Sequence, residues 1–269
     1  MKKWLKNIMA VAFLISFLPY TVTLLMNGRE GIHQEERLSE LEYRVLYELL
    51  KEDYSWMADG TLELMAILYR TECVRTQTDE ELQEISESLY ADSYERLYQA
   101  VERTRGQVIT IGGEYRELPY HGISAGVTRN GTLLGEEFSY VNAVECPRDR
   151  ESGSWLQRCR LTEEELEKAL GKGVSAEGFT LERDSADYVT RVTCMDRTWQ
   201  GENIRSLLHL NSSCFWLEPE EGAVWITVKG SGHGFGISLY TADCMIQEGA
   251  GITEIIQKFY QDAECITIP

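Results

Sequence analysis

Nineteen consecutive residues without a charge, Ile8 to Met26, follow Lys2, Lys3 and Lys6. That length suits a helix crossing a bilayer, even with Pro19 inside it. A cleavable leader has a shorter apolar stretch and small residues at its exit, whereas this run leaves through Leu24-Leu25-Met26-Asn27. The reading is an uncleaved anchor over residues 1–30, with the lysines cytoplasmic and residues 31–269 outside. A buried core helix fits less well, because the run has no polar face.

The chain has 269 residues, 43% of them hydrophobic, enough to bury a full core. Its formal net charge is −18. So acidic a chain repels a phosphate backbone, which argues against nucleic acid as a partner. An anionic glycan would be repelled at long range too, and would need cations placed locally. The seven cysteines contain no CxxC or CxxH spacing, so the common structural zinc patterns are missing. An odd number leaves at least one thiol without an intramolecular partner, and single buried thiols are the default reading.

From Arg37 to Lys51 the residues Leu38, Leu41, Val45, Leu46, Leu49 and Leu50 recur at helical spacing. A break at Asp59-Gly60 precedes a second, more apolar helix from Leu62 to about Arg75, expected to be buried. Thr78 and Glu81 form a capping box for a third helix that stops at Gly106. Gln107–Ile111, Gly112-Gly113 and Glu114–His121 then read as a hairpin, and Phe138–Val144 as a strand. Thr162 and Glu165 cap a short helix ending near Gly171. Strands are expected at 178–183, 188–195 and 223–229, and helices at 202–210, 238–248 and 252–260. The expectation is a single mixed α+β domain with an N-terminal helical part, preceded by the membrane helix.

Two clusters carry chemistry. Gly230-Ser231-Gly232-His233-Gly234-Phe235-Gly236 holds four glycines, which lets backbone approach a ligand or another segment closely. It lacks the GK[ST] ending of a phosphate loop and does not match the dinucleotide fingerprint. A tight turn in which His233 bonds backbone explains it as well as a site does. Tyr120-His121-Gly122-Ile123-Ser124-Ala125-Gly126-Val127-Thr128 places a histidine and two hydroxyls together, but no Gly-x-Ser-x-Gly elbow accompanies them.

Leu41-Glu42 with Val45, then Glu52, then Arg70-Thr71 eighteen positions after Glu52, resembles the opening of the stage II sporulation protein D family. Four later segments resemble that family in the same order. They are Thr104-Arg105-Gly106-Gln107 with Ile109, the His121 to Thr128 stretch, the Gly230 to Ser238 stretch with Tyr240, and Glu254 to Tyr260. The resemblance covers nearly all of 41–265. It departs where Asp53-Tyr54 replaces a Met-Pro pair, where Glu63 replaces a lysine, and where Leu239 and Thr241 interrupt a Ser-Gln-Tyr-Gly ending.

The resemblance implies lytic transglycosylation of peptidoglycan: cleavage of the MurNAc–GlcNAc bond in peptide-stripped glycan strands during engulfment, with Glu52 as the catalytic acid and base. One carboxyl group suffices, because the sugar's own 6-hydroxyl replaces the second carboxylate of ordinary glycosidases. Partial burial of Glu52 is expected, since it helps a carboxyl keep its proton. Arg70 is expected to hold a lactyl carboxylate, to pair with Glu52, or to cap a loop. His121, Ser124, His233 and Tyr240 are expected to line the cleft. The implied partners are glycan strands, a peptidoglycan amidase and a membrane scaffold protein, with no cofactor and no metal. Two alternatives are a non-catalytic, glycan-binding enhancer of an amidase and, less favoured, a metal-dependent hydrolase using His121, His233 and Cys146.

Overall fold

The apolar periodicity after Leu38 forms a helix, α1 (Glu40–Leu49), which buries Val45, Leu46 and Leu49. In the computed structural model, residues 38–77, 91–175 and 177–269 are described. The expected membrane anchor and the Thr78–Glu81 capping box lie outside them. No helix among the described residues is long and apolar enough to cross a membrane. Residues 41–269 form one compact unit.

The break between the first two helices spans residues 50–58, earlier than the expected Asp59-Gly60, which instead open α2 (Asp59–Thr76). Helix α2 is the buried centre of this half, as its composition led us to expect. Leu62, Leu64, Met65, Ile67 and Leu68 are at most 3% exposed, each contributing roughly 1.5–3 kcal/mol of gross burial. It packs against α3 (Ala91–Arg103) and β1 (Gln107–Ile111).

The expected hairpin does not form. Gly112 and Gly113 make a tight turn at φ 57° and 82°, closed by paired bonds between Ile111 and Glu114. The chain then diverges. β1 pairs instead with a C-terminal strand, β10 (Ala263–Thr267), in antiparallel register. β2 (Tyr120–His121) runs parallel to β9 (Ile237–Ser238). The expected strand at 138–144 is irregular, bridging to Tyr260 at Val141 and meeting its ring through Tyr140.

Residues 156–229 build a β-rich lobe with its own core. β3 (Leu156–Thr162), β8 (Ala223–Lys229) and β7 (Phe215–Glu220) form one sheet in that order. β4 (Thr180–Arg183), β5 (Val189–Cys194) and β6 (Arg197–Gln200) form another. Between them lie α4 (Glu163–Leu170), which starts with the expected Thr162/Glu165 capping box, and α5 (Gly201–Leu207). Their common core includes Leu166, Val192, Ile204, Phe215 and Ile226. The chain returns through α6 (Leu239–Gln247) and α7 (Ile252–Phe259) to β10. The mixed α+β class is as expected. All seven cysteines are free thiols.

Candidate active site

Glu52 sits on the loop joining α1 to α2, and that loop is held from several sides. Asp243 of α6 accepts from the Ala58 amide and the Thr61 hydroxyl, both at 2.7 Å. It thereby satisfies an N-terminal donor that helix α2 would otherwise leave open. Arg96 of α3 donates to the Ser55 and Met57 carbonyls at 3.3 and 2.6 Å and to the Asp59 carboxylate at 2.9 Å. Asp53 accepts from the Ser55 amide in a local turn.

Glu52 itself is exposed, not partly buried as expected. Its company is aromatic. The Tyr54 and Tyr69 hydroxyls lie 3.0 Å apart, and the Tyr69 and Tyr120 rings meet edge to face at 6.3 Å between centroids. Burial pushes all three phenols up, and the negative charge of Glu52 adds to the rise in each. The tyrosines therefore stay neutral and keep their protons for donation near the carboxylate. A cleft of about 370 Å³ adjoins them, lined by Tyr69, Tyr120, Glu72, Arg116, Glu117 and His233 among others.

Arg70 is not in that cleft. It is fully buried, gripping Glu42 with Nε at 2.9 and 3.0 Å from its two oxygens and Nη2 at 2.6 Å. Its other donors go to the Val101 and Gln107 carbonyls at 3.2 and 3.0 Å and to Thr104. Glu42 also accepts from the Gly106 amide at 3.0 Å. The neighbouring Thr71 hydroxyl takes the Ile109 amide at 2.9 Å. The guanidinium thus has no donor left for a substrate carboxylate and pairs with Glu42, not Glu52. The expected substrate role for Arg70 is corrected to a structural one.

The two histidine motifs fold against each other. His121 is 4% exposed and bonds the Phe235 carbonyl through Nδ1 at 3.0 Å, so Nδ1 is the protonated nitrogen. Burial, reinforced by the nearby His233, lowers its pKa to about 3, so the ring is neutral. Its Nε2 is buried without a partner. The His233 ring stands 5.8 Å away between centroids, accepts the Phe235 amide on Nδ1 and faces the cleft. Burial holds His233 below the usual range, opposed by Glu202. Two glycines make this approach possible. A Cβ on Gly232 (φ 108°) would stand 2.5 Å from that of His121, and one on Gly236 (φ 68°) would stand 1.7 Å from the Pro119 oxygen.

Ser124 is completely buried. Its amide donates to Asp149 at 2.7 Å and its hydroxyl accepts from the Gly126 amide. Asp149, also fully buried, takes the Ser238 and Thr241 hydroxyls at 2.7 Å each. Ser124 is therefore a joint between the two motifs, not a cleft residue. Tyr240, half-buried at the start of α6, donates its amide to the Gly122 carbonyl and is not among the cleft-lining residues. Of the residues expected to line the cleft, His233 does so. Sequence reading missed Tyr54, Tyr69, Asp149 and Asp243, whose partners are remote in sequence and leave no local pattern. Among the described residues, no cluster of three His, Cys, Asp or Glu side chains is arranged to hold a metal ion.

No protein-family model matches the chain. Over 179 residues, or 65% of its length, the chain is 28% identical to stage II sporulation protein D of Bacillus amyloliquefaciens. Over the same length it is 27% identical to the stage II sporulation protein D of Bacillus subtilis (strain 168). In each case the match takes in 52% of the relative, so the chain spans about half the length of the curated relatives it matches. Segments that resembled one family in sequence mate in space, Arg70-Thr71 with Thr104 to Ile109 and His121 to Ser124 with Gly230 to Ser238. The class these matches support is that of a sporulation protein. Within it, they support assignment to the stage II sporulation protein D family.

Proposed function

We propose that the chain acts on the cell wall during sporulation, as a lytic transglycosylase that cleaves MurNAc–GlcNAc bonds in peptide-stripped glycan strands, with Glu52 as general acid and base. The observation that carries the reading is an exposed carboxyl on a clamped loop, acting electrostatically on three neutral tyrosines, two of which line a cleft that Glu52 itself does not line. In the first step the Glu52 carboxylic acid gives its proton to the glycosidic oxygen as the bond from C1 to that oxygen breaks. In the second, the 6-hydroxyl of the same sugar closes on C1 and its proton returns to Glu52. The product is a 1,6-anhydro end, and no water is consumed.

The neutral phenols of Tyr69 and Tyr120 supply donors for sugar hydroxyls along the cleft, whose one lining arginine, Arg116, is ion-paired with Glu114 at 2.6 Å. In this reading the domain lies outside the membrane on its N-terminal anchor, and a peptidoglycan amidase that strips stem peptides is a partner alongside a membrane scaffold. The exposure of Glu52 favours a second reading, a glycan-binding enhancer of an amidase, because an exposed carboxyl lacks the apolar setting that helps an acid hold its proton.

The test is Glu52→Gln, a near-isosteric change at an exposed position that should alter stability by no more than about 0.5 kcal/mol. Product analysis on peptide-free strands should show anhydro ends from the wild type and none from the variant. Strand binding without anhydro products from either protein would establish the enhancer reading instead.

A further inference from the structure

The burial of Arg70 leaves open which cation meets the carboxylates of an anionic strand on a chain of net charge −18. The outward face of the β3-β8-β7 sheet offers one. Along β8, Val224, Ile226 and Val228 point into the lobe core, so Trp225, Thr227 and Lys229 point away from it. Trp216 is directly opposite Thr227 on β7, and Arg158 and Arg160 lie across on β3. Both arginines are committed, to Glu218 at 2.7 Å and Glu220 at 2.6 Å respectively. The Arg158 guanidinium also lies 4.4 Å from the Trp225 ring centroid.

Lys229 is different. Its ammonium sits 4.2 Å from the Trp216 ring centroid and 5.6 Å from that of Trp155. Among the described residues it has no carboxylate within ion-pair distance. Beside it, the Trp155 indole N–H is a buried donor without an acceptor. The Trp155 main chain is tied to the end of β8, because the Gly230 amide donates to its carbonyl at 2.7 Å. An ammonium stacked on two indoles, with no protein carboxylate beside it among the described residues, is a receptor for one carboxylate.

We propose that Lys229 and Trp155, with Trp216 orienting the ammonium, form a carboxylate-binding subsite for the glycan strand, outside the catalytic cleft. The inference rests on the cell-wall reading above. Continuity with the cleft supports that occupant. Lys229 ends β8, and the glycine-rich loop begins at the next residue and reaches cleft-lining His233. Four residues of chain span at most about 14 Å, so one polymer could engage both places at once. A polymer held at two points gains avidity without a new contact at the reacting bond. The carboxylate could be the lactyl group of muramic acid or belong to a stem peptide.

Equilibrium binding would be measured on full-length protein carrying Glu52→Gln, so that no strand is cut. The probes are peptide-stripped glycan strands, peptide-bearing strands, and chitin oligosaccharides, which have no carboxylate. Lys229→Gln and Trp155→Phe should each weaken binding to carboxylate-bearing strands, Lys229→Gln by about tenfold. Binding of chitin oligosaccharides should not change. Loss on peptide-stripped strands assigns the lactyl group, and loss confined to peptide-bearing strands assigns the stem peptide. Unchanged affinity for both strand types, with melting temperatures matching the parent, would overturn the subsite, as would failure of the parent to bind either strand. Absence of anhydro products from the wild type would overturn the cleavage chemistry alone, because the binding comparison does not depend on turnover.

Discussion

Arg70→Met removes the cation from a pair in which both side chains are at most 3% exposed. Glu42 would remain buried, still accepting from the Gly106 amide but without its guanidinium. Breaking one half of a buried ion pair costs about 3–5 kcal/mol, because the charge left behind has lost both water and partner. In a domain of this size each kcal/mol moves the melting temperature by about 2–4 °C, so the drop should be about 6–20 °C. Arg70→Lys keeps the charge but lacks the planar fork that reaches Glu42, Val101, Gln107 and Thr104 together, so it should fall between. Arg70→Met combined with Glu42→Leu should recover much of the loss, since apolar replacement of a buried pair is often neutral. Thermal unfolding and initial rates measured on the same preparations decide the matter. If Arg70→Met melts with the wild type, or if Arg70→Lys keeps its melting temperature yet loses strand cleavage, the structural assignment of Arg70 is refuted.

Two further outcomes are expected. His121 carries a folded-state pKa of about 3 against an ordinary 6.5, so the unfolded chain binds the extra proton as pH falls. Stability from this group is complete above pH 6.5 and should be lost by about 1.4 kcal/mol per pH unit below it. Denaturant unfolding of the wild type and His121→Asn between pH 7 and 5 should show the steeper loss in the wild type, and parallel curves would count against a buried neutral ring. Asp243→Ala strips the Ala58 amide and the Thr61 hydroxyl of their acceptor and should cost about 1–3 kcal/mol. It should also lower kcat more than it raises KM, because it loosens the loop carrying Glu52; a change in neither stability nor kcat would show that the clamp is idle.

What the sequence made legible is what is local. Helical spacing and the Thr162/Glu165 box each determine an element from a few adjacent residues, and those elements are present, as is the strand expected at 223–229. The hairpin after Gly106 failed because Gly112-Gly113 specifies a turn, whereas the partner of β1 is 263–267, more than 150 residues away. β3 and β7 escaped notice because each lies at a sheet edge with charged outward positions, which blurs the apolar signal. Arg70 was recognisable as an important residue, yet its role depended on Glu42 and Thr104, which only the fold brings together.

The same distinction bears on how an exposed Glu52 would act in the proposed cleavage. A carboxyl in solvent gains little from its surroundings, so precision must come from the backbone that carries it. Here the backbone is fixed from three helices and a tyrosine. Asp243 on α6 holds Ala58, Arg96 on α3 holds Ser55 and Met57, α2 begins at the loop's end, and Tyr54 meets Tyr69. Asp243 lies two residues beyond Thr241, which bonds Asp149, and Asp149 in turn holds Ser124 and Ser238. The glutamate loop and the paired histidine motifs are thus fastened to the same short helix. A displacement of α6 would act on both at once, which makes this helix, rather than the carboxyl's immediate neighbours, the element that couples the Glu52 loop to the histidine motifs.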